Sequence, residues 1–245
     1  MEKNAFSLLV GLKSVDPDAY EGWNGTNGCE GCEIDVDRME SILQPLGYQN
    51  VVLKTEHATA ENVLSVLKLA SMGLKEGDIF VFYFSGHGGQ QPDENGDELD
   101  GQDETLVLYD GEAIDDELNE IWQSFKPGVR IVMLSDSCNS GTNYRARMNV
   151  AESTFMVPLD PERAEMQAEM IHIGGCRDGH SSIGYEEGGV FTTAVWETWA
   201  GGEFEGDYRE FHEGIKSRIT TRQKSQMNEY GPVDENFRDQ RPFTI

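Results

Sequence analysis

The sequence predicts one α/β domain with a mostly parallel central sheet covered by helices on both faces, and three observations predict it. The runs Ile79 to Phe84 and Val129 to Leu134 are apolar at nearly every residue, the character of strands buried on both sides. Such runs alternate with segments whose apolar residues recur at helical period. The 245 residues are also enough to enclose one large core.

Taken in order, residues 5 to 11 form a first strand closed by Gly11. Residues 33 to 45 then carry Ile34, Met39, Ile42 and Leu43 near helical spacing, and Gly47 stops that helix. A short strand from Val51 to Leu53, a helix from about Ala60 to Met72 and the strand Ile79 to Phe84 complete a βαβαβ pattern. An acidic, glycine-rich stretch follows, then a short strand from Thr105 to Leu108, a helix from about Asp115 to Phe125 and the strand Val129 to Leu134. The second half reads as a strand from Met170 to Ile173, helices over Val190 to Trp199 and Tyr208 to Thr221, and an edge strand at Pro242 to Ile245. The segment 142–169 is polar, holds Pro158 and Pro161, and reads as a connection with at most one helical piece. The expected organisation is a single domain, with about 1–141 as a larger part, 142–169 as the connection and 170–245 as a smaller part.

Composition narrows the partners. Hydrophobic residues make up 38% and aromatic residues 9% of the chain, which suits a folded protein rather than a disordered one. The formal charge of -26, from 45 acidic against 19 basic residues, argues against nucleic acid or an anionic membrane as partner, because either needs a broad basic face. Cationic partners fit better. The stretch Ala5 to Val10 is too short for a signal-peptide core, and no apolar run reaches membrane-spanning length. The expectation is a cytoplasmic protein with reduced thiols. Cys29 and Cys32 have the form of half a zinc site, but no second pair follows, so zinc is not expected.

Two segments carry chemistry. Tyr83-Phe84-Ser85-Gly86-His87-Gly88-Gly89 and Leu134-Ser135-Asp136-Ser137-Cys138-Asn139-Ser140-Gly141 each close an apolar run, so one histidine and one cysteine stand where buried strands end. Open α/β sheets bind their ligands at those carboxyl ends. A thiol attacks as thiolate, and a nearby imidazole is the usual group to take its proton near neutral pH. The pair is about 50 positions apart, the separation known for a caspase-type histidine and cysteine. His57, His172, His180 and His212 lack the glycine-flanked strand-end context and are read as packing or surface residues.

The local sequence is similar to that of metacaspases, the caspase-like cysteine peptidases. The matching pieces are Tyr83 to Gly88, the acidic run Gly96-Asp97-Glu98-Leu99-Asp100-Gly101-Gln102-Asp103-Glu104, and Asp136 to Gly141. Two more are Gly31-Cys32-Glu33-Ile34-Asp35-Val36, and Gly175-Cys176-Arg177-Asp178 with Phe191-Thr192. They fall in the family's order from about residue 5 onward, and the chain resembles a minimal form without an N-terminal extension. The resemblance implies a caspase-like fold, a cysteine endopeptidase, and a monomer whose sheet needs no partner to assemble its site.

In that reading Cys138 attacks the scissile carbonyl, His87 moves the proton, and the backbone N–H groups of Gly88 and Cys138 receive the oxyanion. Asp136 lies two residues before Cys138, so on an extended strand end both side chains point the same way. The resemblance implies that Cys32, Asp35, Ser85 and Asp136 line the pocket for the residue before the cut. Two carboxylates there would select Arg or Lys, so peptides or proteins with basic residues are the expected substrates.

Many metacaspases are switched on by calcium, and the resemblance puts the ligands at Asp103, Asp115 and Asp116. A further family ligand falls where this chain has Arg145, which lowers the affinity expected of the site unless Asp97 or Glu104 compensates. The run from Asp93 to Glu104 imitates an EF-hand loop but has Glu98 where glycine is required, so that reading is rejected. Arg145, Arg147 and Arg163 in the polar connection are candidate sites of self-cleavage. The alternative of another class is a non-catalytic acidic binding or adaptor module on the same fold.

Overall fold

A computed structural model of the chain describes residues 3–92, 102–138, 166–176, 187–220 and 223–245. In chain order the elements are β1 (Ala5–Gly11), α1 (Cys32–Leu43), β2 (Gln49–Lys54), α2 (Ala60–Gly73), β3 (Ile79–Pro92), β4 (Gln102–Val107), β5 (Glu112–Ile114), α3 (Asp115–Ser124), β6 (Arg130–Cys138), β7 (Glu169–Cys176), α4 (Val190–Trp199), α5 (Tyr208–Arg218), β8 (Lys224–Tyr230) and α6 (Glu235–Asp239). The main sheet runs β2-β1-β3-β6-β7-β8. Its first five strands are parallel, and β8 closes the edge antiparallel to β7.

The central strands are buried on both sides because each alternates its side chains between two separate cores. Phe80, Phe82 and Phe84 of β3, with Ile131 and Met133 of β6, pack against Val63 and Leu67 of α2 and Ile121 and Trp122 of α3. Val81 and Tyr83, with Val132 and Leu134, pack against Val36 and Met39 of α1, Phe191 and Val195 of α4 and Phe211 of α5. Each fully buried side chain of this size stabilises the fold by roughly 1.5–3 kcal/mol. Gly11 lets α1 lie against β1, since a Cβ there would press on the Cys32 carbonyl oxygen and the Val36 side chain.

Two expectations are corrected. Pro242 to Ile245 is a turn, in which Phe243 adopts φ 62° and is buried among Trp199, Tyr208 and Phe211. The edge strand is β8 instead, a polar segment whose Lys224, Gln226 and Glu229 pair with β7. The third apolar strand does not end at Phe84: β3 continues to Pro92 and leaves the parallel sheet to pair antiparallel with β4, which in turn pairs with β5. Ser85 to His87 stay paired in parallel with β6, and the antiparallel part begins at Gly88. The connection 142–165, with Arg145, Arg147 and Arg163, lies outside the described residues, as do His180, Asp93 and Asp97.

Candidate active site

The parallel pairing of β3 with β6 sets the site. Ser85 is the Cα partner of Asp136, and His87 is the Cα partner of Cys138, so two chemically distinct pairs stand in adjacent rows at one end of the sheet. The Cys138 side chain is outside the described atoms; its backbone position opposite His87 is fixed by the register. Gly86 is required between the two rows, because a Cβ would meet the ring of Phe84.

His87 is 3% exposed. Its Nε2 lies 2.8 Å from the carbonyl oxygen of Gly25, and the Trp23 ring stands 5.0 Å from the imidazole, tilted by 58°. A carbonyl only accepts, so Nε2 carries the proton and, in the neutral ring, the basic lone pair is on Nδ1. The loop that supplies Gly25 is tied down: Val15 donates to the Asn24 carbonyl at 2.9 Å, and the Tyr20 hydroxyl donates to the Leu108 carbonyl at 2.7 Å. Gly25 and Trp23 escape sequence reasoning because a backbone acceptor and a loop ring carry no motif. Gly88 is the β3 partner of Leu106 on β4.

The second row holds two buried carboxylates. Asp35, one turn after buried Cys32 on α1, accepts from the Ser85 hydroxyl at 3.0 Å and from the Gly189 N–H at 2.8 and 3.0 Å. Asp136 accepts from the Thr192 N–H at 3.1 Å and the Thr192 hydroxyl at 2.8 Å. That hydroxyl in turn accepts from Tyr83 at 2.6 Å. The fold thus brings Cys32, Asp35, Ser85 and Asp136 together from three elements.

Gly189 is the N-cap of α4 and Thr192 lies in its first turn, so the carboxylates also satisfy open N–H groups at that helix end and meet the positive end of its dipole. A Cβ at Gly189 would run into Asp136 Oδ2, and Gly188 has φ +109° and packs on Arg38 and Asp35. Burial, and secondly the charge of Asp136, push the Asp35 carboxyl up to about 7, while the donors from Gly189 and Ser85 hold it down. The same two carboxylates, after burial, push the Tyr83 hydroxyl well above its ordinary range. Thr192, Gly188 and Gly189 belong to this site although sequence reasoning assigned them no role; the Gly-Gly pair just before a helix was the available signal.

The acidic positions are brought together in part. Asp103 on β4 and Asp115 at the start of α3 are both buried. Burial, and secondly the charge of Asp103, push the Asp115 carboxyl up to about 7. Its Oδ1 has no hydrogen-bond donor. A buried carboxylate oxygen without a donor beside a second carboxylate suits a hard cation. Among the described residues, however, no group of three or more His, Cys, Asp or Glu side chains is close enough to hold a metal ion. Of the remaining histidines, His172 is buried on β7 and bonds the Ser135 hydroxyl at 2.9 Å. His212 lies 3.2 Å from the Ser225 hydroxyl, and His57 sits in a short 3-10 turn.

A histidine and a cysteine in register at the carboxyl ends of adjacent parallel strands, with helices on both faces, define a caspase-like domain. The model of the caspase domain family matches residues 14–235, and the chain belongs to that family. Its relatives there are metacaspases. It is 38% identical to Metacaspase-1 of Botryotinia fuckeliana over 123 residues, 44% of this chain and 29% of that protein. It is 36% identical to Metacaspase-1 of Arabidopsis thaliana over 137 residues, 51% of this chain and 37% of that protein. The aligned part thus covers about a third of each relative. The crystal structure of protein GSU0716 from Geobacter sulfurreducens superposes with a TM-score of 0.82 at 33% identity and covers 99% of both chains.

Proposed function

We propose that the chain is a cysteine endopeptidase that cuts peptide bonds after Arg or Lys. The observation that carries this reading is the register that pairs His87 with Cys138 one row above Ser85 and Asp136, with Asp35 bonded to Ser85. The Cys138 thiol gives its proton to Nδ1 of His87, and Sγ adds to the scissile carbonyl carbon. The backbone N–H groups of Gly88 and Cys138 receive the oxyanion. The imidazolium then protonates the leaving amine as the C–N bond breaks, which leaves a thioester that water hydrolyses with His87 as base. The Gly25 carbonyl keeps the ring oriented and stabilises its charged form. Asp35 and Asp136, which converge on Gly189, bind the substrate's guanidinium or ammonium group by exchanging donors now supplied by the α4 end.

The test is covalent. A peptide chloromethyl ketone ending in Arg should alkylate Cys138 and abolish peptide hydrolysis, with no labelling of Cys138→Ala. Labelling that leaves hydrolysis intact would take Cys138 out of the chemistry, and the absence of both labelling and hydrolysis would favour the non-catalytic adaptor reading.

Calcium modulation is supported by the donorless oxygen of Asp115 beside Asp103. Asp103 and Asp115 would contribute carboxylate oxygens, and Asp116 would have to draw in beside them for three ligands to meet; the ion would supply positive charge between β4 and α3. Equal hydrolysis in chelator and in millimolar-order calcium would remove this part. Self-cleavage at Arg145, Arg147 or Arg163 follows from the proposed specificity, and Cys138→Ala should then stay intact on storage. A monomer is supported by the charged, polar β8 edge, which is poorly suited to pairing with a second sheet. No described helix is long and apolar enough to cross a membrane.

A further inference from the structure

Arg38 stands behind the carboxylate pair, on the same helix as Asp35 and one turn further along. Its guanidinium nitrogen Nη1 is 3.5 Å from Asp35 Oδ1 and donates to the Thr193 hydroxyl on α4 at 2.9 Å. The guanidinium also lies 5.9 Å from the centre of the Trp196 ring. The side chain is 22% exposed, and its outer side faces a cavity of about 250 Å³ shared with Glu187, Glu197 and Arg218. The backbone of Gly188 is pressed against it, where no Cβ fits. Arg38 is therefore held from three sides as a resident cation, bonded to α4 and directed at Oδ1 of Asp35, while Ser85 bonds Oδ2.

We propose that Arg38 is a positioning residue for specificity: it neutralises one charge of the Asp35–Asp136 pair from behind, so the pocket keeps Asp35 ionised and presents one net negative charge to one basic side chain. This rests on the basic-pocket reading above.

The physical case is electrostatic. Two buried carboxylates this close share protons unless a cation offsets them. The groups that face Asp35 among the described residues are Asp136 from β6 and Tyr83 and Ser85 from β3, while α4 offers the Gly189 N–H. Tyr83 is neutral in the accessible range because its hydroxyl is pushed up. Arg38 is thus the one cation among the groups found to act on Asp35, and it acts in the direction of ionisation. A surface ion pair at 3.5 Å is worth little by itself, but here one partner is buried, so the charge acts mainly on the protonation of Asp35 rather than on fold stability.

The test is the inhibition constant of benzamidine, a guanidinium-like probe, measured from pH 5.5 to 9 on the full chain and its variants. For the unaltered protein, inhibition should tighten as pH rises through the Asp35 titration. In Arg38→Gln, which keeps a donor for Thr193 but no charge, that curve should move up by about one pH unit, making inhibition roughly tenfold weaker on the acid side. At pH 9 the difference should vanish or reverse, and kcat should stay within about twofold. Arg38→Lys should restore the curve. A merely structural role would weaken binding equally at all pH values; that result, or an unshifted curve in folded Arg38→Gln, overturns the proposal. Should Arg38→Gln not fold, Arg38→Lys carries the test, and a curve displaced upward despite the retained charge overturns it. If the unaltered protein neither binds benzamidine nor prefers basic peptides, the basic-pocket reading itself has failed, and that outcome is visible before any variant is compared.

Discussion

His87 donates a hydrogen bond from Nε2–H to the carbonyl oxygen of Gly25 at 2.8 Å. A backbone oxygen thus fixes the tautomer, and in the proposed mechanism it would take the part of a triad carboxylate by stabilising the imidazolium. Because the acceptor belongs to a loop, its position depends on what packs around it, and Trp23 lies against the imidazole. Trp23→Ala should lower kcat by roughly ten- to hundredfold by loosening the ring, while KM for an Arg peptide moves little. Steady-state kinetics on the purified variant decide this: a changed KM with unchanged kcat would place Trp23 in substrate binding instead.

The Asp35 carboxyl is held up to about 7 by burial and by Asp136, against about 3.9 in an unfolded chain. The folded state therefore binds the extra proton between these values, and the wild type loses stability as pH rises from about 4 to about 7. Asp35→Asn does not titrate. Its melting temperature relative to wild type should rise across that window and level off above it, while cleavage after Arg is lost. Thermal melts at pH 5 and pH 8 check this, and equal differences at both would contradict the shift.

His172 titrates in the opposite sense. Burial pushes it down to about 4, so the fold holds it neutral and the full contribution is present above about 6.5. Stability is lost as pH falls from about 6.5 to about 4, by roughly 3 kcal/mol in all. His172→Gln keeps a partner for the Ser135 hydroxyl and removes the titration. Chemical denaturation at pH 7 and pH 4.5 should show a smaller acid loss in the variant than in wild type.

Gly189 leaves no room for a side chain, since a Cβ would meet Asp136 Oδ2 and crowd Asp35. Gly189→Ala should cost about 1–3 kcal/mol through overpacking and weaken the preference for basic residues, because both carboxylates must move. A variant that melts with wild type and keeps its preference would show that this turn is not part of the pocket.

The parts of this fold that the sequence makes legible are those written in side chains at a regular period. The apolar runs of β3 and β6 announce buried parallel strands, and the glycine-flanked His87 with Cys138, each just past such a run, announces a site at their ends. β8 could not be seen this way: as a polar edge strand it buries Ser225 alone of its side chains, so neither alternation nor an apolar run marks it. Pro242 to Ile245 looks extended because Phe243 and Ile245 alternate with small or polar residues. In the fold Phe243 instead plugs an aromatic cluster, donating its N–H to the Tyr208 hydroxyl at 3.1 Å and accepting from Tyr48 at 3.0 Å. In the site, Asp35 and Asp136 were legible as carboxylates beside motifs. Their shared task of holding the α4 end was not, because its donors are mostly backbone N–H groups of residues far along the chain.

The protein proposed here is a thiol peptidase that reads a cation beside the bond it cuts. The most direct measurement is kcat/KM for two fluorogenic peptides that differ only in Arg or Asp before the cleaved bond, run beside Cys138→Ala. The expected result is a preference for Arg of about a hundredfold or more, and no hydrolysis of either peptide by Cys138→Ala. Equal cleavage of the two peptides, or undiminished cleavage by Cys138→Ala, would contradict it.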